Sequence, residues 1–340
     1  MSVKTKRLFK KAVSYLGIVF FALAVWMLWR QLRGYSLSEI AHAILDIPFA
    51  NLVFACFACL GAYLILSLYD YLALRYVNGR VTWWKWMLAG MLGFAISNNA
   101  GNAAVSGGAI RYRLYTRWRI RGGDILKMLT FSGFTYFLGA SAVMIIGYFL
   151  IRNHPGDLSA GLSVGLNTLF IVCCVILFTY FLLAILFSGK SLKIGSVHFQ
   201  VPSVSMAVFQ TFLGIIDSVL TGLILYSCMV PFVEIPFGIF IGLFVIAQAA
   251  GIFSQVPGGI GVFETVFLAA MPDDTNKAAI TGALLAYRII YYLIPLVGVG
   301  GLFFIYERWL RSRMKRWLSE AKEKIPAKIN RIKSEIKIRK

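Results

Sequence analysis

Six stretches of this sequence run almost without interruption through apolar residues: 12–29, 49–76, 126–151, 162–187, 204–230 and 278–306. A helix needs roughly 20 such residues to cross hydrocarbon, and each stretch reaches or nearly reaches that length. The bilayer core offers no water to satisfy backbone amides, so a spanning segment must bond within itself as a helix or in a closed barrel. Runs this long read as helices. Composition agrees, with 59% hydrophobic residues and only 14% charged, where soluble domains carry about 25% charged. Little chain remains for a soluble catalytic domain. We therefore expect an all-α polytopic membrane protein with a basic N-terminus at 1–11, a membrane domain at 12–307 and a basic tail at 308–340. The first run exceeds the roughly 7–15 residues of a signal-peptide core, and no small-x-small cleavage site follows Trp29. It is expected to stay as an anchor.

The net charge of +20 would suit a nucleic-acid binder on a soluble fold. Here the positive residues lie between and beyond apolar runs, which is the pattern of topology signals, so no nucleic-acid partner is expected. With the N-terminus inside and six single crossings, the inner side holds 29 Lys and Arg and the outer side four: Arg30, Arg33, Arg152 and Lys277. Two further apolar stretches, about 86–110 and 236–271, are broken by Gly, Pro, Asn and Gln. A single crossing by each would reduce the split to about 21 against 12 under the same positive-inside count. Each is therefore expected to enter and leave on one side as a re-entrant helical hairpin, the first opening to the cytoplasm and the second to the periplasm. Broken segments on opposite sides are the mark of inverted-topology repeats. A faint echo accompanies them: Gly107-Gly108 precede Arg113 at the spacing by which Gly258-Gly259 precede Glu264, and Tyr136-Phe137-Leu138 matches Tyr291-Tyr292-Leu293 after a four-residue shift.

Two segments read as surface helices. Ser36 and Glu39 form a capping-box pair, and Leu37, Ile40, Ala41, Ile44 and Leu45 share a face suited to the outer interface. After Pro326, Ile329, Ile332 and Ile336 recur among Lys and Arg, so the tail is drawn to the anionic inner leaflet. The five cysteines lie inside apolar runs and the three histidines are scattered, which leaves no metal cluster and no redox pair. Neither a GxxxxGK[ST] phosphate loop nor a Ser/His or HxxxxD constellation is present, so no cofactor, direct ATP drive or enzymatic activity is expected.

The residues that invite a role lie in and beside the broken stretches. SNNAGN (97–102) places Asn98, Asn99 and Asn102 at bilayer depth, where each needs a hydrogen-bond partner. Arg111 and Arg113 follow in GGAIRYRLYTRW, and a guanidinium matches phosphate bidentately. SQVPGGIGVFE (254–264) contains Gln255, a Pro-Gly break that no helix interior tolerates, and Glu264. Arg288 stands alone among apolar residues in AYRIIYYLIP. Pairing Glu264 with Arg288 is the cheapest arrangement for both charges. Asp217 has no partner by sequence and is expected to face a polar cavity. Asp70, near the end of its run, is expected to cap or reach the interface.

Together SNNAGN, GGAIRYRLYTRW, SQVPGGIGVFE and AYRIIYYLIP resemble the lysylphosphatidylglycerol synthase transmembrane-region family, over about residues 16–307. That family includes the flippase half of the bacterial multiple peptide resistance factor. The resemblance implies a phospholipid substrate, anionic or aminoacylated, moved between leaflets of a bacterial inner membrane through a mid-membrane headgroup site. Asn98, Asn99, Asn102, Arg111, Arg113, Gln255, Glu264 and Arg288 would line that site. The aminoacyltransferase domain of the full-length factors has no counterpart before Lys340, so synthesis is not expected. Two other readings stand beside this one: a secondary transporter with a coupling-ion site at Asp217 or Glu264, and a non-transporting scaffold for a lipid-modifying enzyme. A homo-oligomer is compatible with each.

The charge split is directly testable. Reporter fusions at Arg121, Lys190 and Lys340 are expected to signal cytoplasm, and fusions at Asn153 and Asp274 periplasm. A periplasmic signal at Arg121 would contradict the re-entrant first hairpin.

Overall fold

The computed structural model describes residues 42, 44–100, 103–152, 160–194, 197–254, 256–269, 271, 276–308 and 312. The run at 12–29, most of the expected surface helix, Asn102, Gln255 and the tail lie outside these residues. Nine α-helices are described: α1 (Phe49–Tyr76), α2 (Trp83–Ala100), α3 (Ala103–Arg117), α4 (Gly122–Arg152), α5 (Ala160–Phe187), α6 (Val204–Met229), α7 (Phe237–Phe253), α8 (Val262–Ala269) and α9 (Lys277–Arg288). A two-stranded antiparallel ribbon, β1 (Ser191–Ile194) and β2 (Val197–Gln200), sits between α5 and α6. The chain is an all-α polytopic membrane protein apart from this ribbon. Five described helices are long and apolar enough to span: Phe49–Tyr76, Gly122–Arg152, Gly165–Phe187, Val204–Met229 and Ala279–Arg308. They coincide with five of the six apolar runs.

The chain divides into two compact units, Met1–Leu296 and Val297–Lys340. In the second, residues 297–308 are helical. The first contains every site discussed below. Its centre is built by α1, α4 and α6, which pack on one another, with α2 against α1 and α7 against α4. Lipid is as apolar as a leucine side chain, so burial alone does not drive spanning helices together. Close backbone packing and interhelical hydrogen bonds do. Both are visible. At the α4–α6 crossing Gly139 and Gly214 meet so closely that a Cβ on either would overlap the other's backbone. Above it the buried Gln210 of α6 donates to the Phe131 carbonyl (3.2 Å) and to Thr135 Oγ1 (3.1 Å) of α4, and its Oε1 accepts from Tyr180 of α5 (2.5 Å). By contrast, only 11% of the apolar window of α5 is buried, leaving most of that helix for lipid.

The two broken stretches form helix pairs. α2 packs on α3, with Gly107 against Ser97 and the Gly93 carbonyl. The pair covers more chain than 86–110, because α3 continues through Arg117. Leu114 and Tyr115 are buried there, and burial of that face extends the helix past the glycines. In the second pair α7 runs to Phe253, a turn follows at Pro257–Gly259, and the short α8 packs back on α7. Gly258, Gly259 and Gly261 adopt φ of 64°, 62° and 85°, a left-handed region that costs an L-residue with a Cβ roughly 1–2 kcal/mol. The ribbon was not anticipated. It is tied to the end of α1, where the Tyr76 hydroxyl donates to the Gln200 carbonyl (2.6 Å).

Candidate functional site

Each helix pair is fastened to a neighbouring helix by one buried ion pair. On the first, Arg111 of α3 places Nε 2.9 Å from Asp70 Oδ1 and 3.1 Å from Oδ2 of α1. The two side chains are 5% and 1% exposed. The Tyr115 hydroxyl, one turn along α3, donates to Asp70 Oδ2 (2.8 Å), and the guanidinium lies 4.1 Å from the Phe94 ring centroid. This corrects the expectation for Asp70. It does not cap its helix, because its side chain is 1% exposed and turned toward Arg111 and Tyr115 of α3. α2 and α3 bury it, and Arg111 neutralises it.

On the second pair the polarity is reversed, with the acid on the broken segment and the cation on the spanning helix. Glu264 Oε1 accepts from Arg288 Nε at 2.8 Å, with Nη2 at 2.6 Å. Its other oxygen accepts the Gly261 amide (2.8 Å), so the same carboxylate closes the N-terminus of α8 as the N3 member of a capping box does. Arg288 Nη1 donates to the Gly258 carbonyl, and the guanidinium lies 4.7 Å from the Tyr292 ring centroid. One arginine thus holds both the turn and the helix that follows it.

Beyond Arg288 the last helix changes character. Residues Ile289–Leu293 form a π-helical segment, a form that occurs mostly as single turns inside α-helices, frequently at functional sites. Three successive carbonyls here accept side chains from other helices. Cys59 Sγ donates to Ile290 (3.2 Å), the Tyr63 hydroxyl to Tyr291 (3.1 Å) and Asn99 Nδ2 to Tyr292 (3.1 Å). Asn99 also donates to the Ala95 carbonyl (2.7 Å). Its side chain is therefore a strut between α2 and the π segment. Cys59, half of the CxxC, is a buried donor in this seam.

The tips of the two pairs meet. A Cβ on Gly258 would lie 3.5 Å from the Asn98 carbonyl oxygen and 3.5 Å from Arg288 Nη1. Here Asn98 Nδ2 is buried, and Gln248 Oε1 is buried on α7; neither has a hydrogen bond among the described residues. Buried amide groups are seldom left so. Arg113 is half-buried on α3 and does not share Arg111's pairing with Asp70. Asn102 and Gln255, the remaining residues expected here, lie outside the described ones. Asp217 stands apart: it is buried on α6, and its Oδ2 accepts from the Tyr69 hydroxyl (3.1 Å). Sequence reasoning missed Asp70 as a partner and Tyr115 as its support. No group of three or more potential metal ligands is found among the described residues.

The family model described as the lysylphosphatidylglycerol synthase TM region matches residues 14–298. An uncharacterized protein of Synechocystis sp., slr0712, is 33% identical over 297 residues, covering 84% of this chain and 89% of that protein. Inner membrane protein YbhN of Escherichia coli is 28% identical over 297 residues, covering 86% and 90%. A phosphatidylglycerol lysyltransferase of Staphylococcus aureus is 23% identical over 324 residues, which is 94% of this chain but 37% of that longer protein.

The ion pairs predict a specific mutational pattern. Removing one partner of a buried pair leaves an uncompensated charge and costs about 3–5 kcal/mol, whereas removing both is far milder. Thermal unfolding in detergent is expected to show Arg288→Met well below wild type, with Glu264→Gln added to Arg288→Met recovering much of the loss. Equal stability of the single variants and wild type would remove the pair from the account.

Proposed function

The chain belongs to the lysylphosphatidylglycerol synthase transmembrane-region family, and from that premise we propose that it is a lipid translocase. It carries an anionic or aminoacylated phospholipid between the leaflets of the bacterial inner membrane, with both termini in the cytoplasm. The observation that supports this best is the meeting of two broken helix pairs at Asn98 and Gly258, where the Asn98 side-chain amide is buried without a hydrogen bond among the described residues. Non-helical backbone inside a membrane is tolerated where it is buried in protein or lines a cavity. In many transporters, sites of this kind lie near the bilayer midplane, between helices that break there.

The chemistry required is solvation rather than bond-making. A phospholipid crossing hydrocarbon must keep its phosphate hydrogen-bonded while its acyl chains stay in lipid. Asn98, with Asn102 and Gln255 close by in sequence at the two breaks, would supply uncharged donors. Arg113 would supply a cation suited to phosphate. Arg111 and Arg288 are each held by a carboxylate, and in this reading they fix the helix pairs. Nothing in the scheme calls for a covalent step, and the reading is of a transporter rather than an enzyme. The scaffold alternative draws on the tight seam between α2 and α3 at Gly93 and Gly107, where no lipid could enter.

Purified protein in vesicles of phosphatidylglycerol and phosphatidylethanolamine, carrying a labelled phospholipid in one leaflet, tests the proposal. Wild type is expected to speed loss of leaflet asymmetry over empty vesicles. Asn98→Ala and Arg113→Ala are expected to slow it at least several-fold with unfolding temperatures unchanged. No acceleration by wild type, across several headgroups and with an imposed proton gradient, would contradict the translocase and leave the scaffold.

A further inference from the structure

Asp217 is absorbed by neither ion pair nor by the junction of the helix pairs, and its surroundings are unusual. It lies at the middle of the 26-residue α6 and is 3% exposed. Oδ2 accepts from Tyr69, while Oδ1 is buried with no hydrogen-bond partner among the described residues. Ser218, the next residue, also buries its Oγ without a partner. No lysine or arginine lies within salt-bridge distance among the described residues. An ionised carboxylate with one donor and no counter-charge is very costly in hydrocarbon. Something must neutralise it.

The groups facing it are hydroxyls, not charges. α1 presents Tyr63 and Tyr69, α4 presents Tyr136 and the π segment presents Tyr291, all within electrostatic reach of the carboxylate. Tyr136 and Tyr291 are the two residues that echo each other between the halves of the sequence. Of the titratable groups on adjoining helices, Asp70 is engaged with Arg111, Arg288 with Glu264 and Tyr180 with Gln210, while the Tyr287 hydroxyl of α9 is buried without a hydrogen bond among the described residues. α7 carries none. Thr221 on the same helix spends its hydroxyl on the Asp217 carbonyl (2.8 Å).

We propose that Asp217 is a proton-binding carboxyl that couples lipid movement to the proton gradient. Resting on the translocase reading, this names its energy source. A proton needs one free carboxylate oxygen, which Oδ1 provides, whereas a sodium ion would need several more oxygens converging on the same point. Tyr69 holds the carboxyl in place. The step is a simple transfer: a proton from water on one side joins the carboxylate, and the same proton leaves to water on the other side. The α1–α6 seam that carries Asp217 also meets the π segment, whose Tyr292 carbonyl is tied to Asn99 at the first break. Charge at Asp217 and the geometry of the junction are thereby connected through packed elements.

Infrared difference spectroscopy of the protein in phospholipid vesicles reads the proton directly, without any transport. Wild type is expected to show the carbonyl stretch of a buried carboxylic acid that fades as pH rises, and Asp217→Asn to lack it. Tyr69→Phe, which keeps the carboxyl and removes its donor, should move the midpoint to higher pH. Should Asp217→Asn fold poorly, this second variant still decides. A second arm imposes a pH gradient during leaflet exchange: wild type should respond and Asp217→Asn should lose the response. Absence of a band that disappears in Asp217→Asn, a midpoint indifferent to Tyr69→Phe, or a band governed by sodium instead of pH would overturn the proton site. An intact band with exchange that ignores the gradient would overturn the coupling. A band in a protein that moves no lipid would fault the translocase reading while the proton site stands.

Discussion

A charge in hydrocarbon must be neutralised, and the architecture of this protein turns on how three acids meet that demand. Asp70 and Glu264 do so with an arginine from another helix. Because the partners belong to different elements, each pair doubles as a clamp: Arg111 joins α3 to α1, and Arg288 joins α8 and its preceding turn to α9. Replacing such pairs with apolar residues would in many proteins be neutral or stabilising, so their stability value is modest. What they supply is position. Asp217 has no cation within salt-bridge distance among the described residues and is left with hydroxyls.

Position matters most at the second of the two broken helix pairs. α8 has eight residues, too few for independent stability, and the turn before it uses three glycines in the left-handed region. Glu264 and Arg288 between them bind that turn at the Gly261 amide and the Gly258 carbonyl. On the facing side, the π segment offers carbonyls to Cys59, Tyr63 and Asn99, tying α1 and α2 to the helix that carries Arg288. The result is the last turn of α2 held against the Gly258 turn. In the translocase reading that junction replaces the water a headgroup loses.

How much of this the sequence disclosed follows from how each feature is written in it. Spanning helices are spelled in long apolar runs, and the described ones fall where those runs lie. The Glu264–Arg288 pair was legible because each charge stands alone among apolar neighbours, which makes the other its natural partner. Asp70–Arg111 was not. Arg111 opens a series of five arginines whose number reads as a topology signal, and Asp70 lies six residues from the end of its run. The π segment leaves no compositional mark, since a single-residue change in hydrogen-bond spacing needs no special residue. The ribbon did leave one: SLKI and VHFQ flank Gly195-Ser196, a dipeptide suited to a two-residue hairpin, but the apolar runs on either side drew the reading away. Asp217 was visible as an unpaired charge, yet the tyrosines around it come from three separate elements, and only the fold brings them together.

The central claim is that the junction of the two helix pairs receives a phospholipid headgroup within the membrane. Electron cryomicroscopy of the protein in nanodiscs of phosphatidylglycerol tests it most directly. The account predicts ordered headgroup density at mid-membrane depth, within hydrogen-bond reach of Asn98 and beside the Gly258 turn, with acyl chains leaving sideways into the bilayer. Helix pairs closed against each other at Asn98 and Gly258, with ordered lipid confined to the outer perimeter, would contradict it.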